Sequence, residues 1–216
     1  MKWLNQNVET VLELTAAHIA LAVPAIILSL VIAVPMGRLA HGLRWLRDPT
    51  LALVGVLYAI PSLPLFIIIP SLFGTGLRSS TTAIIVLTVY ATAILVRSAA
   101  DAFGAVAEST ITSATAVGYS KWRTFWSVEL PLATPVLIAG LRVVAVSTVS
   151  LVTVASLVGI SSLGTLFTDG FQRGIIAEVL TGLVVTVLIA VALDLLLAAI
   201  GRALTPWTRT VAKAVA

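Results

Sequence analysis

The chain is 216 residues long, 59% apolar and only 10% charged, with a formal net charge of +4. Soluble domains carry about a quarter charged residues, so a fold of this size would lack the polar surface to stay in water; the composition points to an integral membrane protein. The absence of cysteine excludes disulfides and thiol chemistry, and the basic residues are scattered singly between apolar runs, without the stripe that nucleic acid binding requires.

A hydrocarbon core of about 30 Å takes roughly 20 apolar residues as helix. Five such runs follow one another, at 15–36, 50–73, 81 to about 103, 132 to about 158, and 175–200. The first is too long for a signal-peptide core, is followed rather than preceded by most of its positive charges, and lacks a small-residue cleavage site, so it is expected to be a retained helix. Pro24 and Pro35 in the first run, and Pro61, Pro64 and Pro70 in the second, are expected to interrupt their helices, with a break over 58–64. No repeat or linker divides the chain, which reads as one transmembrane domain over 1–216.

Orientation follows from the cations. The tract 37–48 holds Arg38, Arg44 and Arg47, the long loop at about 104–131 holds Lys121 and Arg123, and the tail holds Arg202, Arg209 and Lys213. The facing segments hold only Lys2, Arg78 and Arg173. The positive-inside rule then puts the N-terminus outside, the C-terminus and the 104–131 loop inside, and the segment 159–174 outside.

The stretch 112–135 is the one sizeable amphipathic segment. Ser109 or Thr110 is expected to cap a first short helix, Gly118 to permit a sharp turn, and 121–128 to form a second short helix that Leu130-Pro131 ends. Trp122, Phe125 and Trp126 would sit beside Lys121 and Arg123. On these residues alone, an interfacial helix with tryptophans at the headgroups and cations on anionic lipid is a sufficient account.

The spacing carries more. Gly118 is followed by nine residues and then Val128-Glu129-Leu130-Pro131. This resembles the cytoplasmic signature loop of bacterial type I ABC importer permeases: Glu-Ala-Ala, three residues, Gly, nine residues, Ile or Val, any residue, Leu-Pro. Thr112-Ser113-Ala114 stand where that family has Glu-Ala-Ala, so the glutamate is absent, and Glu108 and Glu129 lie out of register. Ile60-Pro61-Ser62-Leu63-Pro64, the run from Leu130-Pro131 to Ala139-Gly140-Leu141-Arg142, and 159–164 followed by Asp169-Gly170 are similar to the osmoprotectant group, which imports glycine betaine, choline, carnitine or proline-type compounds. Methionine permeases, of similar length and five-span plan, rank second.

The resemblance implies an all-α five-helix permease core in the bacterial plasma membrane, paired with a second copy or a paralogue. Two ABC ATP-binding subunits would dock on the cytoplasmic loop, with Thr112, Ser113, Ala114, Gly118, Trp122, Arg123, Leu130 and Pro131 at or near that contact. An extracytoplasmic solute-binding protein would dock on surfaces including 159–174 and 74–80. The chain has no Gly-x-x-x-x-Gly-Lys-Ser/Thr loop, so ATP-Mg is expected on the partner subunit, with no cofactor or metal here.

Charges at membrane depth need partners or water. Arg142 and Asp194 lie at depths that differ by about 6 Å at a rise of about 1.5 Å per residue and are expected to pair, as a static strut or as a gating element. Arg97 and Asp101, four apart, are expected to pair along their helix. Tyr58, Pro61, Pro64 and Tyr90 are candidates to line a translocation pathway, where aromatic faces would favour a quaternary ammonium; as ordinary packing residues the tyrosines need no such role. Ser147, Ser150 and Thr153 form a three-residue repeat that serves a pathway or close helix packing.

Two other classes are testable. A serine protease built on Ser161 would need His18 or His41 as base, but His41 belongs to the internal side and His18 has no visible carboxylate to orient it. A secondary transporter or channel would usually show an internal repeat with paired broken helices, and none is visible.

Overall fold

The computed structural model describes residues 2–207, which are helical with no strand among them. In order come α1 (Lys2–Gln6), α2 (Val8–Gly42), α3 (Arg44–Ala59), α4 (Ser62–Phe73), α5 (Ser80–Gly104), α6 (Glu108–Ala116), α7 (Lys121–Thr124), a π turn (Phe125–Glu129), α8 (Leu130–Val152), a 3-10 turn (Thr153–Val158), α9 (Gly164–Arg173) and α10 (Ile176–Leu204). Arg209 and Lys213, used above for orientation, lie outside the described residues.

Four segments are long and apolar enough to cross a membrane: Val8–Gly42, Ser80–Gly104, Lys121–Val158 and Ile176–Leu204. The fifth expected span is a bent pair, Trp45–Ala59 and Ser62–Phe73, meeting at 106°. The proline expectation holds only there. Pro61 sits at the break as N-cap of α4, whereas Pro24 and Pro35 lie inside an unbroken α2 and Pro64 and Pro70 inside α4. Pro64 falls in the first turn of its helix, where its missing N–H would have had no partner; within the bundle, neighbouring helices support the others.

Lipid tails are as apolar as leucine, so burial alone does not drive helices together in a membrane and close packing must do so. Along α2 the buried positions Ala22, Ala25, Ser29, Ala33, Gly37 and Ala40 recur every three or four residues, making a seam of small side chains. That seam lies on α5, the most enclosed of the long helices. At Gly37 the approach is so close that a Cβ would stand 2.5 Å from the Ala99 Cβ and 2.8 Å from the Ala100 nitrogen. α5 then packs on α8 and α3, and α10 adds to α8 from outside. Most of α10 faces outward, with Leu183, Val187, Leu188, Leu195 and Leu196 exposed, a surface suited to hydrocarbon and not to water.

At the end opposite α6 and α7, Ser79 caps α5 by accepting from the Thr82 N–H at 3.1 Å. The segment 159–174 is more ordered than the loop expected there: a left-handed Gly159 leads into α9, held by Arg173 donating to Asp169 at 2.7 Å. The Asp169 carboxylate raises the Arg173 pKa above its ordinary value, chiefly through this hydrogen bond.

Gly37→Leu should force α2 and α5 apart at their tightest point. Overpacking of this kind destabilises by about 1–3 kcal/mol or more, and the expected outcome is loss of the monodisperse protein in detergent size-exclusion profiles, with Gly55→Leu, where a side chain meets open space, retaining it.

Candidate coupling surface and membrane cavity

The amphipathic segment forms two short helices joined at a glycine, as its sequence predicts. α6 begins at Glu108 with Ala107 as N-cap and no side-chain cap, so neither Ser109 nor Thr110 takes the expected role. Its C-terminus is a Schellman turn: the Tyr119 N–H donates to the Ala114 carbonyl at 3.1 Å and the Gly118 N–H to Thr115 at 2.9 Å. Gly118 carries φ +94° and a Cβ there would touch nothing, so its requirement is conformational and not spatial. Ser120 then caps α7, accepting from the Arg123 N–H at 3.3 Å.

Leu130-Pro131 does not end the second helix. α7, the π turn and α8 run on as one helix, and the Leu130 N–H donates to the Phe125 carbonyl five residues back. Proline lacks an N–H and its ring would crowd the carbonyl four residues earlier; the wider π turn absorbs that conflict, as such turns often do near working sites. Movement of α7 is therefore movement of α8.

On α6, Thr112 and Ser113 are exposed and Ala114 is half-buried. Glu108 lies one turn before Thr112, whose hydroxyl donates to the Glu108 carbonyl at 3.0 Å. Arg123 stacks over Tyr119, 4.4 Å from the ring centroid. Trp122 and Trp126 meet edge to face at 5.5 Å and line an apolar groove against α2 with Leu39 and Arg38. The groove sets Trp122 apart from the exposed α6 face.

Glu129, which the sequence left without a role, is 2% exposed, and its Oε1 lies 2.8 Å from Arg38 Nε on α2. The Arg38 guanidinium also sits 6.0 Å from the Phe103 ring centroid, and Phe103 packs on Phe125 of the π turn at 6.1 Å. Ile111 of α6 joins the same apolar cluster. The signal for this site was present: a carboxylate inside an apolar helix needs a counter-charge, and Arg38 stands at the matching end of the first span.

Arg142 and Asp194 pair as expected and in bidentate fashion, with Nε to Oδ1 and Nη2 to Oδ2 both at 2.7 Å. Arg97 and Asp101 do not pair. Asp101 instead faces Arg47 of α3 at 3.9 Å; a cation four residues before an anion is the weaker of the two helical orders. His18 is fully buried and its Nε2 donates to the Val149 carbonyl at 3.0 Å, while the buried Ser162 hydroxyl donates to Val152 at 3.3 Å. The histidine joins α2 to α8 as a strut.

Of the pathway candidates, Tyr58, Pro61, Tyr90 and Ser147 come together around one cavity of about 340 Å³ at the α3–α4 break. Tyr58 and Tyr90 meet edge to face at 6.2 Å, and the Tyr90 hydroxyl donates to the Ile60 carbonyl freed by the break. Pro64 and Ser150 are exposed and do not line it. At the other end Arg78 packs against Gly159, where a Cβ would meet its Nε at 3.0 Å, so the segments 74–80 and 159–174 adjoin.

The fold is thus a bundle of four long apolar helices and one bent pair, with paired surface helices hung on one long helix. The model of the family described as binding-protein-dependent transport system inner membrane component matches residues 25–210, and the chain belongs to that family. It is similar to the osmoprotectant import permease protein OsmW of Salmonella typhimurium, 30% identical with 94% of this chain and 96% of the relative covered. Likewise, the choline transport system permease protein OpuBD of Bacillus subtilis is 29% identical, with 95% and 90% covered. Among solved structures, a chain of the inward-facing MetNI methionine ABC transporter superposes with a TM-score of 0.79 at 22% identity, covering 90% of this chain and 96% of that one. The protein is thus a multi-pass permease component of an ABC transporter, and its fold is that of the type I class.

Glu129→Ala should lower stability by about 2 kcal/mol, below the about 3–5 of a fully buried pair because Arg38 keeps partial access to solvent, as read from thermal aggregation in detergent. For the membrane pair, Asp194→Arg should abolish folded yield and the exchange Arg142→Asp with Asp194→Arg should restore a clear part of it.

Proposed function

We propose that this permease moves a compatible solute such as glycine betaine, choline, carnitine or a proline-type compound inward, driven by ATP hydrolysed on partner subunits. The observation that carries the reading is near full-length similarity to osmoprotectant and choline permeases of two organisms. The methionine alternative rests on fold likeness below 25% identity.

In this reading α6 and α7 face the cytoplasm, with the N-terminus outside. Two copies, or this chain and a paralogue, enclose the pathway, and one ATPase subunit seats on each α6–α7 pair. The exposed face of Thr112, Ser113, Gly118 and Arg123 meets the ATPase, and Glu108, one turn from Thr112, supplies a carboxylate to the same face. Trp122 and Trp126 turn to the apolar groove and anchor the joint in lipid. Closure of the ATPase dimer would displace α6 and α7; the cluster of Ile111, Phe125 and Phe103 and the Arg38–Glu129 pair carry that displacement into α2, α5 and α8. The solute-binding protein docks where Arg78, Gly159 and α9 adjoin.

The test is solute-stimulated ATP hydrolysis and uptake by the complex reconstituted with its ATPase and binding protein. Gly118→Val forces a β-branched residue into a left-handed conformation, about 1–2 kcal/mol of strain, and should abolish most of the stimulation. Gly118→Asn, which tolerates that conformation, should keep most of it. Equal activity in both, or failure to bind an ATPase, would overturn the coupling role.

A further inference from the structure

Below the cavity at the helix break lies a second, of about 330 Å³, and the two share Tyr58, Ile94 and Ser147 as a common wall. Arg97 and Ser98 of α5 line the second cavity as well. Tyr90 and Arg97 stand seven residues apart on α5, two helical turns, hence on one face and separated by about 10 Å of rise. Helical side chains lean toward the N-terminus, which brings the Arg97 guanidinium closer to the tyrosines than the backbone rise.

Arg97 differs from the four arginines of the described ion pairs. Arg38, Arg47, Arg142 and Arg173 each face a carboxylate within 4.0 Å; Arg97 faces none among the described residues, because Asp101 is turned to Arg47. Its side chain is exposed and stands seven residues inside the end of an apolar helix, a place where membrane would make an unpaired charge expensive unless water or a ligand met it. It lines the second cavity with the hydroxyl-bearing Tyr58, Ser98 and Ser147 and the apolar Val54, Ala93, Ile94 and Val143. The adjoining first cavity holds two tyrosine rings and the carboxyl end of α3, favourable to a cation.

We propose that the two adjoining cavities together form a transient binding site for a zwitterion, with its quaternary ammonium against Tyr58 and Tyr90 and its carboxylate on Arg97. The inference rests on the osmoprotectant reading and narrows it. A betaine or carnitine satisfies both ends, whereas choline offers no carboxylate and brings a second positive charge toward Arg97. The permease itself therefore favours zwitterions over choline, independently of the binding protein.

The chain contains no cysteine, so Ser147→Cys places a single thiol in this chain on the wall shared by both cavities. In the whole importer in lipid nanodiscs, glycine betaine should slow modification of this thiol by a small charged thiol reagent, and choline should do so far less. Adding Arg97→Gln should raise the half-protecting betaine concentration about tenfold or more, as expected for loss of one hydrogen bond to a charged group, and should strengthen protection by choline, which no longer meets a like charge. Arg97→Lys should keep most of the betaine protection. If Arg97→Gln fails to assemble, Tyr58→Leu, at a well-exposed side chain, should weaken protection by both solutes. Equal protection by choline and betaine, an unaltered response in Arg97→Gln, or uptake of betaine without any protection would overturn the site while leaving the osmoprotectant function standing. Wild-type complex that hydrolyses ATP but takes up neither solute would overturn that function, and this site with it.

Discussion

The contact between α2 and α5 sets the positions of the remaining parts. It is made from small side chains, with Gly37 seated on Ala99, because in hydrocarbon the gain from bringing two helices together comes from dispersion between closely fitted surfaces. With the backbones this near, Arg38, one residue beyond Gly37, comes beside Phe103 and Glu129. The opposite face of α5 is left to α3 and α8, where Tyr90 and Arg97 line the cavities. One tight seam thus places both the coupling joint and the candidate pathway on the same rigid helix.

At the coupling end, stiffness is built from unlike parts. α6 is tied down by Ile111 alone among apolar contacts to the inner cluster, and none of its residues is fully buried, so it is free to present a surface. α7 is continuous with α8 through the π turn, and its inward side carries Phe125 and Glu129. The Arg38–Glu129 contact, 2.8 Å between Nε and Oε1, is partly solvated on the arginine side.

Much of this was legible in the residues. Hydropathy runs locate every span because lipid demands a long apolar helix, and depth matching finds Arg142 and Asp194 because an isolated charge there is expensive. The glycine spacing locates the α6–α7 turn because only a residue at ease with positive φ closes a Schellman turn. The misreadings have physical sources too. Pro24, Pro35 and Pro131 read as breaks, yet a proline breaks a helix only where nothing else supports the freed carbonyl, and the bundle or a π turn supplies that support. Arg97 and Asp101 read as a pair by spacing, which takes no account of a third charge, Arg47, arriving from α3. Glu129 was passed over by motif register; it is recovered by applying to it the same depth argument that found Asp194.

The charges of the bundle separate into two kinds once their neighbours are known. Arg142 with Asp194, and Arg38 with Glu129, are closed pairs that join one helix to another and leave little valence for a ligand. The Tyr90 hydroxyl is likewise spent on the Ile60 carbonyl, which holds the α3–α4 break in place and leaves the ring face, not the hydroxyl, to the cavity. Arg97, exposed in the wall of the second cavity with Tyr58, Ser98 and Ser147, faces no carboxylate among the described residues. In the proposed site such an exposed cation meets the negative end of a passing solute, and a low-affinity, half-hydrated contact of that kind lets the solute leave as readily as it arrives.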